Sequence, residues 1–284
     1  MLAPVVPHLR CPRCSLPFGL VGMVLRCQAG HAFDVARQGY VNLLPPQART
    51  GTADTAAMVD ARARVLAAGH LDGVTRLLAD AAGPGSDGIG GCVLDLGAGT
   101  GHHLAGVLDA LPGRPGLALD LSVPAARRAA RAHPRLGAVV VDVWEPLPVP
   151  DATAALVLDV FAPRVGAEIA RVLAPGGSLL VVTPTPDHLA ELVGPLGLLT
   201  VDGRKNERLQ AALGEHLEPT GTAAYDGELV LPREEAGLLA AMGPSAHHMG
   251  AAELQARVAS LPARVAVTVS ARLSRWRRPG AVAC

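Results

Sequence analysis

Short apolar runs dominate the middle of the chain: CVLD (92–95), LALD (117–120), AVVVD (138–142), AALVLD (154–159) and SLLVVTP (178–184). Runs of this length, bounded by Gly, Pro or charged residues, fit strands buried on both faces of a parallel sheet. The stretches between them read as helices. One opens at about residue 102, one follows the second strand, and one ends in RVLAPGG before the fifth strand. Upstream, Thr55 is placed to cap a helix whose apolar stripe includes Met58, Val59 and Leu66. A second helix is predicted over about 71–82, ending in the Gly- and Pro-rich loop GPGSDGIGG. Strand–helix–strand alternation predicts an α/β fold around a parallel sheet. Four of the runs end in an acid, and successive strand ends share the sheet edge where open α/β folds bind ligands.

The first run continues as DLGAGTG, with Gly97, Thr100 and the further glycines Gly99 and Gly101 ahead of a helix. Such glycines permit a sharp turn and close approach of a ligand to the backbone. Two ligand classes use this loop. A dinucleotide puts its pyrophosphate on the helix N-terminus. S-adenosyl-L-methionine has no phosphate and needs an acid for its ammonium, a role that Asp95 fits. Asp120 is placed to accept both ribose hydroxyls. Asp142 could accept the adenine amino group, with Val143 or Trp144 against the ring. Loop capping is the plainer use of Asp120 and Asp142. Taken together, the pattern resembles the class I S-adenosylmethionine-dependent methyltransferases.

Cysteine changes the picture at the N-terminus. Three of five cysteines fall in Cys11-x2-Cys14-x12-Cys27-x3-His31. A Cys-x2-Cys turn and a second short pair, returned by a hairpin, supply four ligands for tetrahedral Zn2+. Gly19 and Gly22 mark the hairpin turn between two short strands. So short a segment lacks a sufficient core, and zinc would supply the missing folding free energy. Four protein ligands leave no open position, so the site reads as structural. The chain thus divides into a zinc module, 1–45, and a cofactor-binding domain, 46–284. Cys92 is expected to pack at a strand start, and Cys284 is a chain end.

Net charge excludes a whole-chain basic field: 25 basic residues balance 25 acidic ones. Nucleic-acid contact would need local patches. Arg10, Arg13, Arg26 and Arg37 cluster around the cysteines, and Arg272, Arg275, Arg277 and Arg278 flank Trp276. Arg127, Arg128, Arg131 and Arg135 read as a solvated helix face. No run of about 18 uncharged apolar residues predicts a membrane span. With no leader-like N-terminus, a cytoplasmic setting with reduced thiols is expected.

The zinc pattern followed by HAFDVARQGYVNLLP, the Ala61–His70 helix, DLGAGTG, FAPR (161–164) and VVTPTPDHLAEL (181–192) resembles the RlmA family of 23S rRNA guanine-N1 methyltransferases. GTGHHLAGVL, RAARAHP and AMGPSAHH resemble its actinobacterial branch, which includes tylosin- and mycinamicin-resistance methyltransferases. The resemblance implies methylation of N1 of a guanine in the loop of 23S rRNA hairpin 35, nucleotide 748 in the Gram-positive branch. It implies resistance to macrolides and a homodimer whose zinc modules flank an RNA-binding cleft. It also implies zinc ligands at Cys11, Cys14, Cys27 and His31, and cofactor contacts at Gly99, Thr100, Leu71 and His188. Leu71 stands where some relatives have an aromatic, so its contact would be backbone or packing.

Guanine N1 carries a proton near neutral pH, which must leave as the methyl arrives. Asp159, ending the fourth strand, is the candidate base, or else an orienting or capping group. Phe161 would stack on the extruded guanine, and the arginines near the zinc module would neutralise hairpin phosphates. Three competing readings share these motifs: a small-molecule methyltransferase with an appended zinc module, a zinc-containing nucleic-acid-binding regulator, and a nicotinamide-dependent oxidoreductase.

Overall fold

The structure is a computed structural model of the 284-residue chain that describes residues 2–83 and 88–279. The middle of the expected loop at 83–91 and Cys284 lie outside the described residues. A 3-10 turn at Ala3–His8 precedes a small antiparallel sheet of β1 (Phe18–Val21), β2 (Val24–Cys27) and β3 (Ala32–Asp34). Val21 pairs with Val24 across the turn, where Gly22 takes φ +60°. Two of the chain's three phenylalanines, Phe18 and Phe33, meet edge to face at 5.6 Å in this ribbon.

β4 (Tyr40–Asn42) leaves the ribbon and joins the large sheet. Then come α1 (Ala56–Ala67), α2 (Asp72–Ala82), β5 (Cys92–Leu96), α3 (His102–Ala110), β6 (Gly116–Asp120), α4 (Val123–Ala129), β7 (Leu136–Val140), β8 (Ala154–Val160), α5 (Gly166–Val172) and β9 (Leu173–Pro184). The C-terminal part holds α6 (Ala190–Leu196), α7 (Lys205–Leu213), β10 (Glu218–Pro232), α8 (Arg233–Ala241), α9 (Ala251–Ala259) and β11 (Arg264–Arg277). The large sheet has eight strands in the order β10-β11-β9-β8-β5-β6-β7-β4. β4 to β9 are parallel to their neighbours among themselves, and the β10–β11 pair runs antiparallel at the other edge.

The predicted elements from 55 to 184 form within a residue or two of expectation. Thr55 caps α1, its hydroxyl accepting from the Met58 N–H at 3.3 Å. Two details differ. β7 stops at Val140, two residues before Asp142. β9 begins at Leu173, so the expected Pro-Gly-Gly turn lies inside it as an irregularity with Gly176 at φ +76°.

Alternation along the strands splits the core. Val93 faces a layer that includes α2, α3, α4, α6 and α8, while Cys92, Leu94 and Leu96 face the other side. That second side is covered by α5, α7 and, over β5 to β7, by the first 43 residues. Val5 occupies the space a side chain on Gly137 would need. Arg10 N–H donates to Pro148 O at 3.0 Å, and Leu43 N–H to Val140 O at 3.0 Å. Val5, Leu9 and Val41 are fully buried, each such burial stabilising by about 1.5–3 kcal/mol. The segment 1–45, expected as a separate module, therefore shares a core with the sheet, and the ribbon proper spans about 10–34.

Candidate active site

Cys11, Cys14, Cys27 and His31 come together with ligand atoms all within 4.8 Å of one another. Cys14 Sγ and Cys27 Sγ are 3.6 Å apart, and His31 Nδ1 lies 3.5 Å from Cys11 Sγ and 3.4 Å from Cys27 Sγ. A tetrahedral Zn2+ with Zn–S about 2.3 Å and Zn–N about 2.0 Å sets neighbouring ligands roughly 3.5–3.8 Å apart. The donor set fits the ion. Burial opposes ionisation of Cys27, but hydrogen bonds from Cys14, the backbone at His31 and Ala29, and the His31 ring bring the thiol to about 7. Cys92 opens β5, fully buried, and burial pushes its thiol up to about 12.

The glycine loop follows β5. Gly97, Gly99 and Gly101 take φ +66°, +55° and +76°, which L side chains adopt at a cost. A Cβ on Gly101 would lie 3.1 Å from Ala129 Cα. Asp95 is 2% exposed and its Oδ1 has no hydrogen-bond partner among the described residues. Burial, then the charges of Asp159 and Asp120, raise its pKa well above the usual carboxylate value. A buried acid with an orphaned oxygen beside this loop fits the ammonium of S-adenosylmethionine, as a cation would compensate it. Asp120 ends β6 and accepts from Gly99 N–H and Ser122 N–H, each at 2.7 Å. These bonds fix its carboxylate at the loop, where an acceptor for ribose hydroxyls is needed. Asp142 is half-buried and accepts from Trp144 N–H at 3.0 Å, while the Trp144 ring is 64% exposed. Leu71 is buried at the start of α2, its carbonyl accepting from Thr75 Oγ1 at 3.4 Å. Thr100 is half-buried between the last two glycines of the loop.

Beside these, β8 and β9 bring a second group to the same edge. Phe161 takes φ +55° and is 39% exposed. Its ring centroid is 5.7 Å from that of His188, whose Nδ1 accepts from Ser270 N–H at 3.3 Å. Asp159 departs from the expected base. It is fully buried, and Arg164 grips it with two hydrogen bonds, Nε to Oδ2 at 2.9 Å and Nη2 to Oδ1 at 3.0 Å. A carboxylate engaged on both oxygens by a guanidinium is a weak proton acceptor. The geometry makes it a holder of the bend that carries Phe161.

Two arginines of the site were not singled out from the sequence. Arg164 stands in FAPR, but it lies five positions along the chain from its partner. Arg62 pairs with Asp54, donates to Met242 O at 2.9 Å, and lies 3.3 Å from the Cβ position of Gly99. A signal for Arg62 existed: it lies four residues from both Met58 and Leu66, on the buried stripe of α1.

The basic patches divide. Arg13, Arg26 and Arg37 are exposed around the ribbon, Arg13 lying 5.8 Å over the Phe33 ring, whereas Arg10 turns to Asp151 at 3.7 Å. The basic tail is not a surface arm but strand β11. Trp276 is fully buried there, Arg275 donates to Ala81 O, and Arg278 donates to Leu173 O. Arg135 is no solvated residue either, since it caps carbonyls of Leu108, Leu111 and Arg114 after α3. Among the described residues no helix is long and apolar enough to cross a membrane.

Comparison with known proteins agrees with this assembly. Residues 9–51 match the RlmA N-terminal zinc ribbon, and residues 93–177 match a methyltransferase domain. The chain is 51% identical to the 23S rRNA (guanine(748)-N(1))-methyltransferase of Streptomyces fradiae, over 94% of this chain and 95% of that one. It is 52% identical to a Micromonospora griseorubida protein named as a 23S rRNA (guanine-N(1)-)-methyltransferase, over 96% and 98% of the two chains. Among solved structures, a chain in the complex of the Haloferax volcanii Trm112 methyltransferase activator with a methyltransferase superposes at TM-score 0.52. It is 17% identical, over 79% of this chain and 96% of that one, and shows the shared fold. With a zinc ribbon of the right ligands, a methyltransferase sheet with a fitting cofactor crevice, and half-identical relatives along nearly the whole length, the chain belongs to the RlmA family of methyltransferases.

Proposed function

We propose that the protein methylates N1 of a guanine in 23S rRNA, nucleotide 748 in the loop of hairpin 35, and so confers resistance to tylosin- and mycinamicin-type macrolides. The observation that carries this reading is the 51% identity to the Streptomyces fradiae guanine-748 enzyme over 94% of the chain. Bound S-adenosylmethionine would supply an electrophilic methyl group on its sulfonium. The chain's own residues do the rest. Asp95 receives the ammonium, Asp120 the ribose hydroxyls and Asp142 the adenine edge, while Leu71, Thr100 and His188 line the crevice beside the Gly97–Gly101 loop. Phe161 offers a face on which a purine out of its helix can stack, worth about 1–3 kcal/mol. Stacking orients N1 while its proton passes to water, and orientation is the main need when the methyl donor is already activated. Arg13, Arg26 and Arg37 beside the zinc ribbon neutralise phosphates of the hairpin, and shape with splayed bases identifies the loop. Two copies form a homodimer with a zinc ribbon on each side of the RNA.

The test is methyl transfer from radiolabelled donor to unmodified 23S rRNA, beside macrolide aglycones. Label is expected in the rRNA alone, with a primer-extension stop at nucleotide 748 in expressing cells. Label in the aglycone, or an unmodified hairpin 35 in cells that make the protein, overturns the reading.

A further inference from the structure

The bend at 159–164 is closed on itself. Asp159 leaves the sheet interior at the end of β8, and Arg164 returns to grip it through both carboxylate oxygens at 2.9 and 3.0 Å. The Arg164 Nη2 also donates to Ala162 O at 2.9 Å, pinning the middle of the bend. Phe161 N–H donates to Val182 O at 3.0 Å, so the neighbouring strand holds the start. Inside this loop Phe161 sits at φ +55°, a conformation L side chains rarely keep unless surroundings enforce it. Ala162 packs on the cofactor loop, its Cβ 2.7 Å from the place a Gly97 side chain would start. The ion pair is dry: Asp159 is fully buried and the Arg164 side chain 13% exposed.

We propose that Arg164 is a positioning residue: with Asp159 it forms a clasp that holds Phe161 in its left-handed conformation, presenting the ring to the target purine at a fixed height over the Gly97 turn. The purine part of this statement rests on the methyltransferase reading above; the clasp itself does not. The ring is then set by three contacts, the clasp below, Val182 beside it and the His188 ring at 5.7 Å. Releasing the clasp lets residue 161 relax to negative φ and swings the ring away from the crevice.

Two measurements on the zinc-loaded full chain test this. The first needs no RNA. Removing both charges together, as Asp159→Asn/Arg164→Met, avoids leaving a buried charge alone. Phe161→Gly and Phe161→Ala are then melted with the clasp present and with it removed. With the clasp, the Gly variant should melt above the Ala variant, because positive φ favours glycine. Without it, the order should invert, because a relaxed backbone favours alanine. The same order in both backgrounds overturns the proposal. If the paired variant gives no cooperative melt, Arg164→Lys, which keeps the charge but not the two-pronged grip, is read the same way. The second measurement is kcat/KM for methyl transfer to the hairpin. The paired substitution should lower it by about 10-fold or more with Phe161 present, and by no more than about 2-fold in a Phe161→Ala background. Equal losses in both backgrounds overturn it. A wild-type chain that methylates no rRNA refutes the function proposed above, and the melting order still decides the clasp.

Discussion

Asp95 is a residue whose surroundings make a measurable demand. It is buried, one oxygen lacks a donor among the described residues, and burial with the charges of Asp159 and Asp120 raises its pKa. An acid with a raised folded pKa holds its proton more tightly folded than unfolded. Its contribution to stability is full below the ordinary carboxylate pKa and is lost as pH rises through the raised value. A cation placed beside it pulls the pKa back down. Binding of S-adenosylmethionine should therefore release a proton, and should tighten as pH rises from the ordinary value towards the raised one. Calorimetry in two buffers of different ionisation enthalpy measures that release. Asp95→Asn should abolish it and weaken binding by about 10-fold or more, the effect of one charge-assisted hydrogen bond. Unchanged affinity would remove Asp95 from the ammonium site. Asp95 stands out in the sequence because a glycine turn follows it, and Asp120 because it ends the next apolar run. Asp159 also ends an apolar run, but nothing local announces that a guanidinium five residues later will turn back onto it. Pairing through a bend depends on the φ of Phe161, which only the assembled sheet sets.

At the scale of elements, the parallel strands β5 to β9 were readable as apolar runs, and the short parallel strand β4 and the antiparallel pair were not. Residues 218–224 of β10 are all exposed and carry no hydrophobic alternation, and β11 begins far downstream, beyond α8 and α9. The arginines toward the end of β11 read as a local basic patch because sequence counts charges and cannot see carbonyls for them to cap. The zinc ribbon was readable from ligand spacing, since four donors at those intervals are rarely accidental. Its stability should depend on the metal. Cys11→Ser, or a strong chelator, should unfold the 10–34 ribbon and abolish rRNA methylation, while S-adenosylmethionine still binds the β5–β6 crevice. Metal content, methyl transfer and calorimetric binding on one preparation check this. Loss of donor binding along with zinc would mean that the ribbon supports the sheet as well.

At the scale of the molecule, the boundary expected at residue 45 does not coincide with the packing. A composition change marks where chemistry differs, not where the core is shared. Val5, Leu9, Val41 and Leu43 seal the second face of the sheet. A chain cut to residues 46–284 should therefore lose cooperative unfolding and bind the dye ANS, whereas deletion of the ribbon alone, with 1–9 and 40–45 rejoined by a short linker, should keep a cooperative melt. Equal cooperativity in the two deletions would count against a shared core.

β4 gives this arrangement a further meaning. Three residues, Tyr40 to Asn42, lie hydrogen-bonded along β7, immediately after the ribbon ends. A metal-stiffened head attached in this way is not a bead on a string. Under the function proposed above it would act as the far jaw of a caliper whose near jaw is Phe161, with the nucleotide modified chosen by span as well as by its edges. Lengthening the chain between β3 and β4 would leave both jaws intact and spoil only the gauge.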